Sequence, residues 1–180
     1  YVMGGDVTSV SMQYTVLPSF LSIMLSQSTS LDSGTILFQT VRNAIDELPV
    51  SARPKLYVYG ESLGAFGSQA PFTNLGIEGL TNQADGALWA GPPANSAYWQ
   101  QISAMSTSGP TWAPIVEDGS VIRFAANEAG LAQPPSVWGP KRGVFLQNAT
   151  DAVVWWSPNL IASRPGWLNS PRGPDVPAAM

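Results

Sequence analysis

The sequence contains no histidine and no cysteine. Without cysteine there is no disulfide, no thiolate metal site and no cysteine nucleophile, and the redox compartment is left open. Without histidine these 180 residues hold no imidazole base and no imidazole metal ligand. Charge is scarce as well: Asp, Glu, Lys and Arg make up 11% of the chain, less than half of the usual share of about 25%. With 8 basic against 12 acidic residues the net charge is −4, so the basic footprint of a nucleic-acid binder is missing. No long apolar run is present. The best cluster, Val16 to Leu25, is interrupted by Pro18, Ser19 and Ser22, whereas a membrane span needs about 20 apolar residues. Asp6, Asp85, Glu117, Asp118 and Glu128 are scattered without ligand spacing, so neither a metal nor another cofactor is expected.

What is present suits one globular domain: 180 residues, 44% of them hydrophobic. The chain opens on Tyr1 without a charged, then apolar leader and closes in the Pro-rich stretch SPRGPDVPAAM, which reads as a segment cut from a longer protein. Asp6–Gln13 alternates around Val7, Val10 and Met12 and predicts a strand. Asp32–Leu48 predicts a helix, capped by Asp32 or Ser33, with apolar residues at Ile36, Leu37, Val41, Ile45 and Leu48 and a stop at Pro49. Lys55–Tyr59, Gly86–Ala90, Ser120–Ala125 and Gly143–Gln147 read as short buried strands, Ala65–Phe72 as a helix, and Asn95–Pro114 as a loop with one helical turn around Tyr98–Met105. Strands alternating with helices imply an α/β fold with a mostly parallel sheet and crossover helices. Ligands in such sheets sit beyond the carboxyl ends of the strands. The residues to inspect are therefore Tyr14–Leu17, Glu61–Leu63, Gly91–Pro93, Asn127–Glu128 and Asn148–Asp151.

Gly60-Glu61-Ser62-Leu63-Gly64 matches G-x-S-x-G between a predicted strand and a predicted helix. The glycines allow a turn tight enough to lift a serine hydroxyl above the sheet, and side chains at their positions would collide with neighbouring elements. Ser62 is then the candidate nucleophile, and the Leu63 N–H at the helix start the candidate oxyanion donor. The bland alternative is a structural Gly-Ser turn. Asp151, four residues beyond GVFLQ, stands where a triad acid would orient an imidazole, or else is a turn aspartate bonding its own backbone. Glu61 reads as a carboxylate at a helix N-terminus rather than as a base. Seven tryptophans, at 89, 99, 112, 138, 155, 156 and 167, could line an acyl pocket, but core anchoring is the commoner use. Asn148-Ala149-Thr150 matches a glycosylation sequon, which its place at a strand end makes a chance match.

These residues together resemble the actinobacterial membrane-associated α/β-hydrolases, α/β-hydrolase family 9. The blocks are GDVTSVSMQYTVLPSFLS from Gly5 to Ser22, YVYGESLGAFGSQAPF from Tyr57 to Phe72, GALWAGPP from Gly86 to Pro93, VFLQNATDAVVWWSP from Val144 to Pro158, and RPGWLNSPRGPDV from Arg164 to Val176. The resemblance implies an α/β-hydrolase domain, truncated at both ends, that covers residues 1–180 of a membrane-associated bacterial protein. It implies Ser62 as nucleophile, Asp151 as triad acid, and a histidine supplied downstream, so that the segment alone would be inactive. It places the strand bearing the other oxyanion donor before Tyr1. The expected activity is that of a serine hydrolase, an esterase, lipase-like enzyme or acyltransferase, acting on an ester or acyl-lipid-like substrate, with membrane attachment through parts of the chain outside this segment. The alternative is a degenerate, non-catalytic hydrolase fold that binds a ligand or regulates a membrane protein.

Overall fold

The sheet order follows from four short apolar strands, each flanked by turn residues. A computed structural model describes residues 4–13, 27–134, 136–163, 168, 172–173 and 176–177. Among them, β1 (Tyr57–Glu61), β2 (Gly86–Ala90), β6 (Arg142–Leu146) and β5 (Ile122–Ala125) pair in that order, all parallel. Parallel pairing demands crossovers, which are supplied by α2 (Leu63–Gln69) and α3 (Gly76–Gln83) after β1, and by α4 (Ala97–Ala104) and α5 (Glu128–Leu131) after β2 and β5. A two-stranded antiparallel ribbon, β3 (Ser106–Ser108) with β4 (Ile115–Val116), interrupts the long β2–β5 connection. The α/β fold with a parallel sheet is thus as the sequence predicts.

Helix α1 (Gln27–Asp46) precedes β1. It starts five residues before the predicted cap, and Asp32 and Ser33 lie inside it. Ser30 and Gly34 are poor helix formers, but they are contact positions here. The Ser30 hydroxyl donates to the Leu63 carbonyl at 3.3 Å, and a Cβ on Gly34 would stand 2.1 Å from the Gly67 carbonyl oxygen. Tertiary packing of α1 on α2 therefore overrides local propensity. The far end of α1 stops as expected before Pro49, with Arg53 donating to the Asp46 and Leu48 carbonyls at 2.7 and 3.1 Å. Helix α2 also ends early, because Pro71 cannot continue it and Ala70–Phe72 tightens into a 3-10 turn. The predicted single helical turn near Tyr98 is a two-turn helix, α4.

The predicted strand Asp6–Gln13 is corrected: residues 4–13 form no strand. Val7 and Val10 are 61% and 55% exposed. Alternation makes a strand only where a ladder partner and a buried face exist, and this segment pairs with no strand among the described residues. Thr8 and Val10 instead border a groove lined also by α1, by Leu56 and β1, and by Ser68 of α2. Tyr14–Leu17 lies outside the described residues.

One face of the sheet carries an aromatic row. Trp89 on β2, Phe145 on β6 and Phe124 on β5 are register partners, with centroids 4.7 Å apart for the first pair and 4.5 Å for the second. Trp89, Trp99 and Trp155 are buried in this core, whereas Trp156 is 46% exposed.

Candidate active site

Three residues, each the first after its strand, carry the sheet ladder past the strand ends. Ser62 N donates to the Ala90 carbonyl, Gly91 N to Leu146 and Gln147 N to Ala125, each at 2.8 Å. The elbow serine, the turn after β2 and the start of the acid loop are thereby fixed to one another at the carboxyl edge of the sheet.

Ser62 adopts φ 52° and ψ −117°. A left-handed serine costs of order 1–3 kcal/mol and persists only where its surroundings enforce it. Gly60 is part of that enforcement: a Cβ there would lie 2.5 Å from the Gly64 carbonyl oxygen and 2.4 Å from Ser68 Oγ. Gly64 differs from expectation, because a Cβ there meets no described atom within 4 Å. The steric demand of the motif falls on its first glycine, where the chain returns over itself. Ser62 precedes α2 as its N-cap but makes no capping hydrogen bond with its side chain. A serine in ordinary N-cap conformation spends its hydroxyl on the helix amides. Leu63 opens α2, so the helix itself provides no carbonyl for its N–H; its side chain is 1% exposed and anchors the turn.

Glu61 is engaged beside the site: the Tyr59 hydroxyl donates to its Oε2 at 3.3 Å, and the carboxylate raises the Tyr59 hydroxyl above the ordinary tyrosine range.

Asp151 meets the second of the two descriptions offered by the sequence, a turn aspartate. Its Oδ1 accepts from Val153 N at 2.9 Å and from Val154 N at 3.2 Å, which makes it a turn aspartate with a fixed rotamer. Its Oδ2 lies on the other side, 3.9 Å from where a Cβ of Gly91 would stand. Gly91 (φ 55°) directly follows β2, and Ala90 before it holds Ser62. Asp151 and Ser62 therefore border the same end of β2, from the β6 side and the β1 side.

The Asp151 loop is tied down by Trp155, which acts as an anchor, and by Gln147, to which the sequence assigned no role. The Trp155 indole N–H donates to the Asn148 carbonyl at 2.9 Å, bracketing the loop, and Ala94 N donates to the Val154 carbonyl at 2.8 Å. Gln147, 2% exposed, accepts from the Trp99 indole at 2.8 Å and donates to the Trp112 carbonyl at 2.8 Å. A glutamine closing an otherwise apolar strand was the signal for this role, since buried amides require partners. Asn127, also beyond a strand, caps α5 by accepting from Gly130 N. Among the described residues, no cluster of three acidic residues, histidines or cysteines could hold a metal, and no helix is long and apolar enough to cross a membrane.

Comparison with curated proteins and with solved structures returned no match in either case. A family model described as "Alpha/beta-hydrolase family" matches residues 1–180. The strand–elbow–helix unit, the parallel sheet and this match over the whole chain agree, and the chain belongs to the alpha/beta-hydrolase family.

Proposed function

We propose that this domain is the catalytic domain of a serine hydrolase or acyltransferase that cleaves an ester or thioester of an acyl or lipid-like substrate. Ser62 Oγ attacks the carbonyl carbon and gives its proton to an imidazole from outside these 180 residues, which contain none. Asp151 Oδ2 orients that imidazole and stabilises its charged form. The developing oxyanion accepts from the Leu63 N–H at the start of α2. Collapse of the tetrahedral intermediate expels an alcohol or thiol, protonated by the imidazolium, and leaves an acyl-serine for water or an acceptor alcohol to resolve. The single observation that carries this reading is the left-handed Ser62, held between β1 and α2 with its hydroxyl unspent on capping. The lipid-like substrate and a membrane setting are supported by the low charge of the chain and by its family blocks.

A fluorophosphonate probe applied to the intact protein tests the proposal. Wild type labels and Ser62→Ala does not. Labelling that survives the substitution moves the nucleophile elsewhere. A wild type that stays unlabelled favours the second reading, a non-catalytic hydrolase-fold domain that binds or regulates.

A further inference from the structure

The block RPGWLNSPRGPDV, far from the elbow in sequence, has no role in the chemistry above. Two of its described residues are buried: Gly173, and Val176 at 8% exposure. Val176 N donates to the Gly173 carbonyl at 3.0 Å, so the pair forms one turn. Gly173 lies directly on the acid loop. A Cβ there would stand 2.2 Å from the Ala149 Cβ and 3.6 Å from both Trp112 Cε2 and Val176 Cγ2. Ala149 is itself 2% exposed and lies two residues before Asp151.

We infer that the Gly173–Val176 turn is a brace that positions Asp151 by pressing on Ala149. This rests on the reading of Asp151 as the triad acid. The physical argument is one of missing freedom. An alanine methyl has no torsion with which to move aside, so a methyl on Gly173 can be accommodated only by shifting backbone. The loop on the Ala149 side is short and pinned at both ends, by Gln147 N on the Ala125 carbonyl and by the Trp155 indole on the Asn148 carbonyl. A shift of Ala149 therefore passes to Asp151, whose Oδ1 is locked to Val153 N and Val154 N, and turns Oδ2 away from the end of β2. Displacing a catalytic group by about 1 Å costs up to about a hundredfold in rate.

The test measures the rate of fluorophosphonate labelling of Ser62 in the intact protein. Gly173→Ala slows it by about tenfold or more. Adding Ala149→Gly removes the opposing methyl and returns the rate most of the way to wild type. In an Asp151→Asn background, Gly173→Ala adds no further slowing. A Gly173→Ala protein that labels at the wild-type rate overturns the brace, as does a double variant no faster than the single, or slowing that multiplies with Asp151→Asn. If Gly173→Ala alone does not fold, a folded and labelling double variant supports the pairing, and a double variant that also fails to fold overturns it. Should Asp151→Asn itself label like wild type, it is the assignment of the acid that fails. That outcome is distinct from an inert Gly173→Ala beside a slow Asp151→Asn.

Discussion

At the scale of single residues, G-x-S-x-G gave the position of the turn but not the division of labour within it. Both glycines look equivalent in the pentapeptide, yet only Gly60 faces backbone at a distance no Cβ tolerates. Gly60→Ala should therefore destabilise the domain by about 1–3 kcal/mol, the usual cost of overpacking. Gly64→Ala, a helical position with open space among the described residues, should leave stability unchanged or raise it by up to about 1 kcal/mol. Urea unfolding of the two variants checks this, and equal midpoints would show that the elbow relaxes around the first methyl. Asp151 illustrates the complementary limit. Sequence position left the triad acid and the turn aspartate open, and the structure shows the turn: Oδ1 accepts from Val153 N and Val154 N, while Oδ2 lies beside Gly91. Gln147 was legible only as a strand residue. Gln147→Leu leaves the Trp99 indole N–H and the Trp112 carbonyl without their partner, and the expected loss is about 1–3 kcal/mol per stranded buried group, again read from urea midpoints.

At the scale of elements, β1, β2, β5 and β6 were legible as short apolar runs between turn residues, and Gly86–Ala90 matches to the residue; the burial expected of β1 is not met, because Tyr57 and Tyr59 are 50% and 62% exposed at the edge of the described sheet. Elements that depend on distant contacts were not legible. Asp6–Gln13 has the alternation of a strand but no ladder partner among the described residues, while α3 and the β3–β4 ribbon, of eight, three and two residues, are too short to stand out in the sequence. The first five residues of α1 were missed, and the packing that holds this end of the helix can be tested. Gly34 sits where α1 crosses α2, its Cα side facing the Gly67 carbonyl, and a Cβ on Gly67 would in turn stand 2.6 Å from the Ser30 carbonyl oxygen. Intrinsic propensity favours alanine over glycine in a helix by about 1 kcal/mol, yet Gly34→Ala is expected to destabilise by about 1–3 kcal/mol, since the clash is with backbone. The sign of the change in urea midpoint decides between the two effects. A gain in stability would mean that α1 can lift from α2 without loss.

At the scale of the whole molecule, the rings form one continuous path. Phe38 on α1 meets Phe72 at 5.1 Å, Phe72 meets Trp89 at 6.1 Å, and the row Trp89–Phe145–Phe124 leads to Trp99 at 6.0 Å and then Trp155 at 5.8 Å. The path runs from the helix before the elbow strand to the turn that holds Asp151, so the two halves of the candidate site share one core. Tyr98 on α4 lies against three of these rings, Phe72, Trp89 and Phe145, and its hydroxyl donates to the Gly76 carbonyl at 3.1 Å. Burial raises its ionisation well above that of a free tyrosine. The sign follows from linkage. Below the unfolded value of about 10 the hydroxyl is protonated in both states and its contribution is complete; above it, only the unfolded state ionises, and stability falls until the folded value is reached. Tyr98→Phe should therefore cost about 0.5–1.5 kcal/mol near neutrality through the lost hydrogen bond, yet lose less stability than wild type between about pH 8 and about pH 10.5. Because Tyr98 contacts the core of both halves, its tyrosinate absorbance should appear together with global unfolding. Equal alkaline losses in the two proteins, or a Tyr98 step that precedes the loss of helical signal, would show that this core opens in parts and that the two sides of the site are held independently.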